Sequence, residues 1–163
     1  MFEVYEVMKH LGSQPTFQTF SDMMNAAHET AKWDVVSNLY SVMMGNQMPL
    51  ESHHHIMVCY AHANLGNWRQ LLTSLNYVDV DAGLELDDWF KILELAVQAE
   101  EFNIALDIFR IARKSGGHRD LRTLEHMITV YRRLGMWQEA LTVDKEISKL
   151  QRNWDDKDEF VSF

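Results

Sequence analysis

The chain has 163 residues, 47% of them hydrophobic, and a formal net charge of −9 from 24 acidic and 15 basic residues. That length suits one domain or a short repeat array with a sizeable core, and the acidity opposes general binding to phosphate backbones, which repel an acidic chain unless cations are gathered locally. The single Cys59 excludes an intramolecular disulfide framework and suits a reducing compartment, and no run of about 20 apolar residues is present to cross a bilayer.

Taken in chain order, the opening Met-Phe-Glu-Val-Tyr-Glu-Val lacks a secretory core and carries acids where a mitochondrial presequence would carry Arg and Ser. Four aromatics then recur, Trp33, Trp68, Phe102 and Trp137, at steps of 35, 34 and 35 residues, each opening an apolar run after a short polar turn. Self-similarity of that period marks a helical repeat in which one two-helix unit cannot bury its apolar face alone. Alignment on the aromatics predicts helices over 17–30 and 33–46, 52–64 and 67–77, 87–99 and 102–115, and 121–134 and 137–151. The expected fold is all-α, a right-handed α-solenoid of about four helix-turn-helix repeats over 17–153. Residues 1–16 read as the second half of an incomplete repeat, and 154–163 as an acidic, aromatic tail. Gly83 is the expected helix terminator in the weakest join, Tyr77 to Leu86. Trp137 is expected in the core of its hairpin.

Two stretches carry a family likeness. Arg122-Thr-Leu-Glu-His-Met-Ile-Thr-Val-Tyr-Arg-Arg-Leu-Gly-Met-Trp-Gln-Glu-Ala-Leu141 and Met8-Lys-His-Leu-Gly-Ser-Gln-Pro-Thr16 resemble pentatricopeptide repeats, the second through its Met-Lys-x-x-Gly-x-x-Pro ending. In that family a unit reads one RNA base through an inner residue of its first helix and the last residue of the unit. The resemblance puts Ser21, Ile56, Phe90 and Glu125 at the inner positions and Glu51, Glu85, Asp120 and Asp155 at the final ones. Every final position is acidic. Only Ser21 among the inner ones is a small polar residue suited to a base edge, so base reading is poorly supported and Ser21 with Glu51 form the best remaining pair.

Two other constellations stand out. Arg110, Arg113, Lys114, Arg119, Arg122, Arg132 and Arg133 meet only Asp120 and Glu125 within residues 110–133, a local +5 that could contact RNA phosphates or an acidic partner, or be solvated helix faces paired with Glu and Asp. His53-His54-His55 with Cys59 and His62 puts His55, Cys59 and His62 at i, i+4 and i+7 on one helical face, three potential zinc ligands without an obvious fourth. The competing reading is a core cysteine and histidines at a polar helix start. Paired acids at presumed helix starts, Asp87-Asp88 and Glu100-Glu101, suit the helix dipole rather than acid–base chemistry, and no phosphate loop, zincin motif or nucleophile elbow is present.

The expected function is therefore non-enzymatic and needs no cofactor. The resemblance implies a scaffold or adaptor in a mitochondrial (matrix) ribonucleoprotein, such as a mitoribosome or an RNA-processing complex, binding protein subunits and RNA backbone without membrane insertion. The alternative is a matrix-side accessory subunit of a respiratory complex such as cytochrome c oxidase, which the acidity and shortness of the chain suit.

Overall fold

A computed structural model describes residues 15–78, 84–114 and 120–158, the last segment with side chains through residue 152. Among the described residues the secondary structure is entirely helical. The helices are α1 (Phe17–Glu29), α2 (Trp33–Gly45), α3 (Ser52–Asn64), α4 (Trp68–Leu75), α5 (Leu86–Gln98), α6 (Phe102–Lys114), α7 (Leu121–Arg133) and α8 (Trp137–Asp158). They divide into two units at Gly83 and Leu84. The reading of residues 2–11 as a helix, and of Gly83 as a terminator, falls outside the described residues.

Each repeated aromatic is the first residue of the second helix of a pair. Two residues earlier the backbone turns left-handed, at Ala31 (φ 53°), Gly66 (φ 68°), Glu100 (φ 59°) and Gly135 (φ 71°). The hydrogen bonds there repeat too. Lys32, Asn67, Glu101 and Met136 donate their N–H groups to the carbonyls of Ala27, His62, Ala96 and Tyr131, at 2.9, 2.8, 3.0 and 2.8 Å. The left-handed residue itself donates to the carbonyl three positions back, as Gly135 does to Arg132. This is the Schellman closure, which satisfies carbonyls that a helix end leaves open. Gln47 (φ 53°) closes α2 the same way, with the Met48 N–H on the Met43 carbonyl at 3.0 Å.

Helix starts are equally periodic. Thr16, Glu51, Glu85 and Asp120 are the N-caps of α1, α3, α5 and α7. The Thr16 hydroxyl accepts the Thr19 N–H, whereas at α3 and α5 capping boxes form, the Glu51 N–H donating to His54 Nδ1 at 3.2 Å and the Glu85 N–H to Asp88 Oδ2 at 3.1 Å. A cap placed at this spacing starts each first helix at the same point of the repeat.

In the first unit α1 packs on α2, α2 on α3, α3 on α4, and α1 on α3; the second unit repeats the pattern with α5 to α8. The first core gathers Phe20, Met23, Met24, Ala27, Val36, Leu39, Tyr40, Met43, Met57, Val58 and Ala61. In the second, Trp89, Ile92, Leu93, Phe109, Leu124 and Met127 are buried at helical spacing. Buried methionines fill gaps between helices, as their flexibility allows.

Two expectations need correction. Trp137 is not a core residue: its side chain is 62% exposed, because the first residue of α8 lies at the rim of the hairpin and no described element covers it. The last helix does not end at 151 either, since α8 continues to Asp158; residues 138–158 contain no Gly or Pro to stop it.

Backbone strain at the turns is directly testable. A Cβ at residue 135 would meet nothing within 4 Å, so Gly135→Ala should cost only its left-handed conformation, about 1–2 kcal/mol in urea denaturation. Glu100→Gly relieves the same strain but adds freedom to the unfolded chain, worth about 0.5–1 kcal/mol, and should be neutral to slightly stabilising.

Candidate functional site

Two of the residues aligned with base-reading positions, Ser21 and Phe90, are engaged within the fold. Ser21 is buried, and its Oγ lies 2.8 Å from Nε2 of His54 on the next hairpin. His54 Nδ1 already accepts the Glu51 N–H, so the ring is neutral with its proton on Nε2, which donates to Ser21. Phe17 packs edge-on against the same ring, at 5.5 Å between centroids. Burial holds the His54 pKa below the ordinary histidine value. In the second unit Phe90 occupies the aligned position, with the Arg122 guanidinium 4.3 Å over its ring and His126 edge-on at 5.3 Å. Ile56 is half-buried and Glu125 exposed. Within each unit the inner position of the first hairpin thus touches the first helix of the second.

The acidic final positions serve as N-caps. Glu51 also lies 3.4 Å from His53 Nδ1, and Asp120 accepts from Thr123 Oγ1 and pairs with Arg122 at 3.2 Å. Asp155 lies beyond the described side chains.

Three arginines of the cationic cluster are held in ion pairs. Arg110 meets Asp107 at 3.0 Å, Arg113 meets Glu146 at 2.8 Å, and Arg122 bridges Asp120 and Asp87, the latter at 3.1 Å. Hydrogen bonds from Lys91 and Arg122 hold the Asp87 carboxyl below its usual range. Arg133 lies over the Phe102 ring at 5.9 Å. Lys114 and Arg132 form no ion pair with the described residues, and Arg119 falls outside them. Much of the local charge excess is offset by acids that lie elsewhere in the sequence.

Helix α3 places His55, Cys59 and His62 on one side, but no three His, Cys, Asp or Glu side chains among the described residues gather as a metal-binding group. Cys59 is fully buried, and burial pushes its thiol up to about 12. His55 Nδ1 is hydrogen-bonded to the Tyr40 hydroxyl at 2.8 Å, while the Tyr77 ring stacks over it at 6.1 Å. His62 is 8% exposed, and its Nδ1 has no hydrogen-bond partner among the described residues. Burial lowers the pKa of both histidines.

Two surface features escaped the sequence reading. A cleft of about 600 Å³ runs between α2 and α4, lined by Ser37, Tyr40, Ser41 and Met44 on one side, by Arg69, Gln70, Thr73, Ser74 and Tyr77 on the other, and by His62 and Asn67. The spacing of Ser37, Tyr40, Ser41 and Met44, at i, i+3, i+4 and i+7, could have suggested a shared face. The second feature is on α8, where Trp137 and Leu141 are 62% and 55% exposed one turn apart. No family model matches the chain, and no curated protein does.

The buried histidines yield a pH dependence with a definite sign. A histidine whose folded pKa is lowered binds its proton more readily in the unfolded chain, so its stabilisation is complete above the unfolded value of about 6.5 and lost as pH falls below it. Thermal unfolding should therefore show a lower melting temperature at pH 5.5 than at pH 7.5. Ser21→Ala should leave the His54 N–H unsatisfied and cost about 1–3 kcal/mol, far more than truncating a solvent-facing serine. Cys59 should resist a thiol reagent in native buffer and react fully in guanidinium, which a timed absorbance assay would follow.

Proposed function

We propose that the protein is a non-enzymatic adaptor, a short α-solenoid whose last helix offers an apolar ridge to a partner protein. The observation that carries this reading is the contrast between equivalent residues of α6 and α8. Phe102 and Leu106, the first and fifth residues of α6, are half-buried and 7% exposed; Trp137 and Leu141, the first and fifth of α8, are open. Helix α7 packs on α6 and brings Arg133 over Phe102. A helix of the partner, seated on α8 as α7 sits on α6, would cover this pair. A large exposed apolar pair of this kind is a common anchor of binding energy.

The resemblance to pentatricopeptide repeats supports a mitochondrial ribonucleoprotein as the setting, with protein contacts dominant. Burial of Ser21, the capping roles of Glu51, Glu85 and Asp120, and the ion pairs of Arg110, Arg113 and Arg122 leave few groups for RNA. Its contribution would come from cations such as Lys114 and Arg132, which form no ion pair with the described residues.

Leu141→Glu separates binding from folding, because residue 141 is exposed and the change should alter stability by less than about 0.5 kcal/mol. Expected is migration of the wild-type chain within a large mitochondrial assembly on a native gradient, and release of the variant as free protein. Dispersal of that assembly by ribonuclease supports the ribonucleoprotein setting, whereas cofractionation with a respiratory complex would replace it by the accessory-subunit reading. Wild-type chain that runs as a free monomer in mitochondrial extract would overturn the adaptor proposal. Trp137→Ala should likewise spare folding, with a loss well below the 3–5 kcal/mol of a core aromatic.

A further inference from the structure

The cleft between α2 and α4 has unfilled hydrogen-bonding capacity of two opposite kinds. At one end, Asn67 caps α4 without a side-chain hydrogen bond, and the first turn of α4 holds no acidic residue. The positive end of that helix is therefore uncompensated. Arg69 stands in the same turn, is the only charged residue among those lining the cleft, and forms no ion pair with the described residues. This end calls for an anion.

The walls call for something else. Ser41 Oγ donates to the Ser37 carbonyl at 2.9 Å and Thr73 Oγ1 to the Arg69 carbonyl at 3.0 Å, so both hydroxyl protons are committed and their oxygens can only accept. His62, more than nine-tenths buried and among the residues lining the cleft, has an Nδ1 with no partner among the described residues. A buried polar atom left so costs about 1–3 kcal/mol and calls for a partner. A simple anion supplies acceptors alone. A peptide segment supplies backbone N–H and C=O groups together with a carboxylate.

Dimensions and the far end of the cleft narrow the ligand further. Ser37 to Met44 spans seven residues of helix, about 10 Å at 1.5 Å per residue, the length of about three residues of extended chain. Met44 and Tyr77, both well exposed, line the end reached by the last turns of α2 and α4. From this juxtaposition we infer that the α2/α4 cleft binds a short extended peptide segment, with an Asp or Glu carboxylate at Arg69 and the start of α4, and an apolar side chain against Met44 and Tyr77.

The test uses the full chain, isotope-labelled for NMR, and the blocked peptide acetyl-Asp-Ser-Leu-amide. Titration should shift amide signals of Ser41, Gln70, Thr73 and Tyr77 in a saturable manner. Replacing the peptide's Asp by Asn should weaken binding at least tenfold, as should Arg69→Glu, an exposed change expected to leave circular dichroism and melting temperature unaltered. Gln70→Glu offers an independent second variant with the same expectation. Inorganic phosphate should produce no comparable saturation. Absence of shifts at the lining residues up to millimolar peptide, equal affinity for the Asn peptide, or phosphate binding as tight as the peptide would each overturn the inference. Saturation of the same residues by a single-stranded RNA in preference to the peptide would overturn it as well.

Discussion

One backbone closure governs this architecture. At the end of α1, α3, α5 and α7 a left-handed residue reverses the chain, and the N–H that follows it returns to a carbonyl five residues back. That bond sets where each first helix stops, so the aromatic two residues after the turn always opens the second. Glycine makes the conformation easy at residues 66 and 135. At Ala31 and Glu100 the surrounding hairpin imposes it against a preference of about 1–2 kcal/mol. Packing can meet that cost because a hairpin out of register would lose several buried side chains at once.

The join between the first two hairpins adds a buried polar contact to its apolar packing. His54 accepts from its own helix start and donates to Ser21 of the preceding hairpin, so one ring ties a helix cap to a neighbour's position. Sliding α3 along α1 by one turn, about 5.4 Å, would leave both atoms of that bond unsatisfied in the core. Apolar faces tolerate displacement more readily. The second unit uses Phe90 with Arg122 and His126 at the aligned place, which shows that repeat geometry persists while its chemistry changes.

Helix limits were legible because period, turn residues and apolar stripes agree: most ends fall within a residue or two of those expected from the aromatic register. Side-chain roles were less so. The periodic acids Glu51, Glu85 and Asp120 carried a readable capping signal, lying just before apolar helices at the same spacing as Thr16, yet a family alignment drew attention to a different use. Arg113 and Arg122 looked unpaired because their partners, Glu146 and Asp87, lie 33 and 35 residues away, one repeat along. Trp137 repeats the spacing of Trp33 but not its environment, since periodicity cannot say which helix is covered. The cleft depends on how α2 and α4 stand beside α3, and no sequence spacing encodes that placement.

The three histidines whose charge is opposed by burial all belong to α3, the central helix of the first unit. In the second unit the exposed Asp87 carboxylate, paired with Lys91 and Arg122, stays ionised to lower pH. Mild acid therefore lowers the stability of the first unit more than that of the second. Acid then favours any opening of the first unit that lets these histidines take up protons, and the same opening would uncover the buried Cys59.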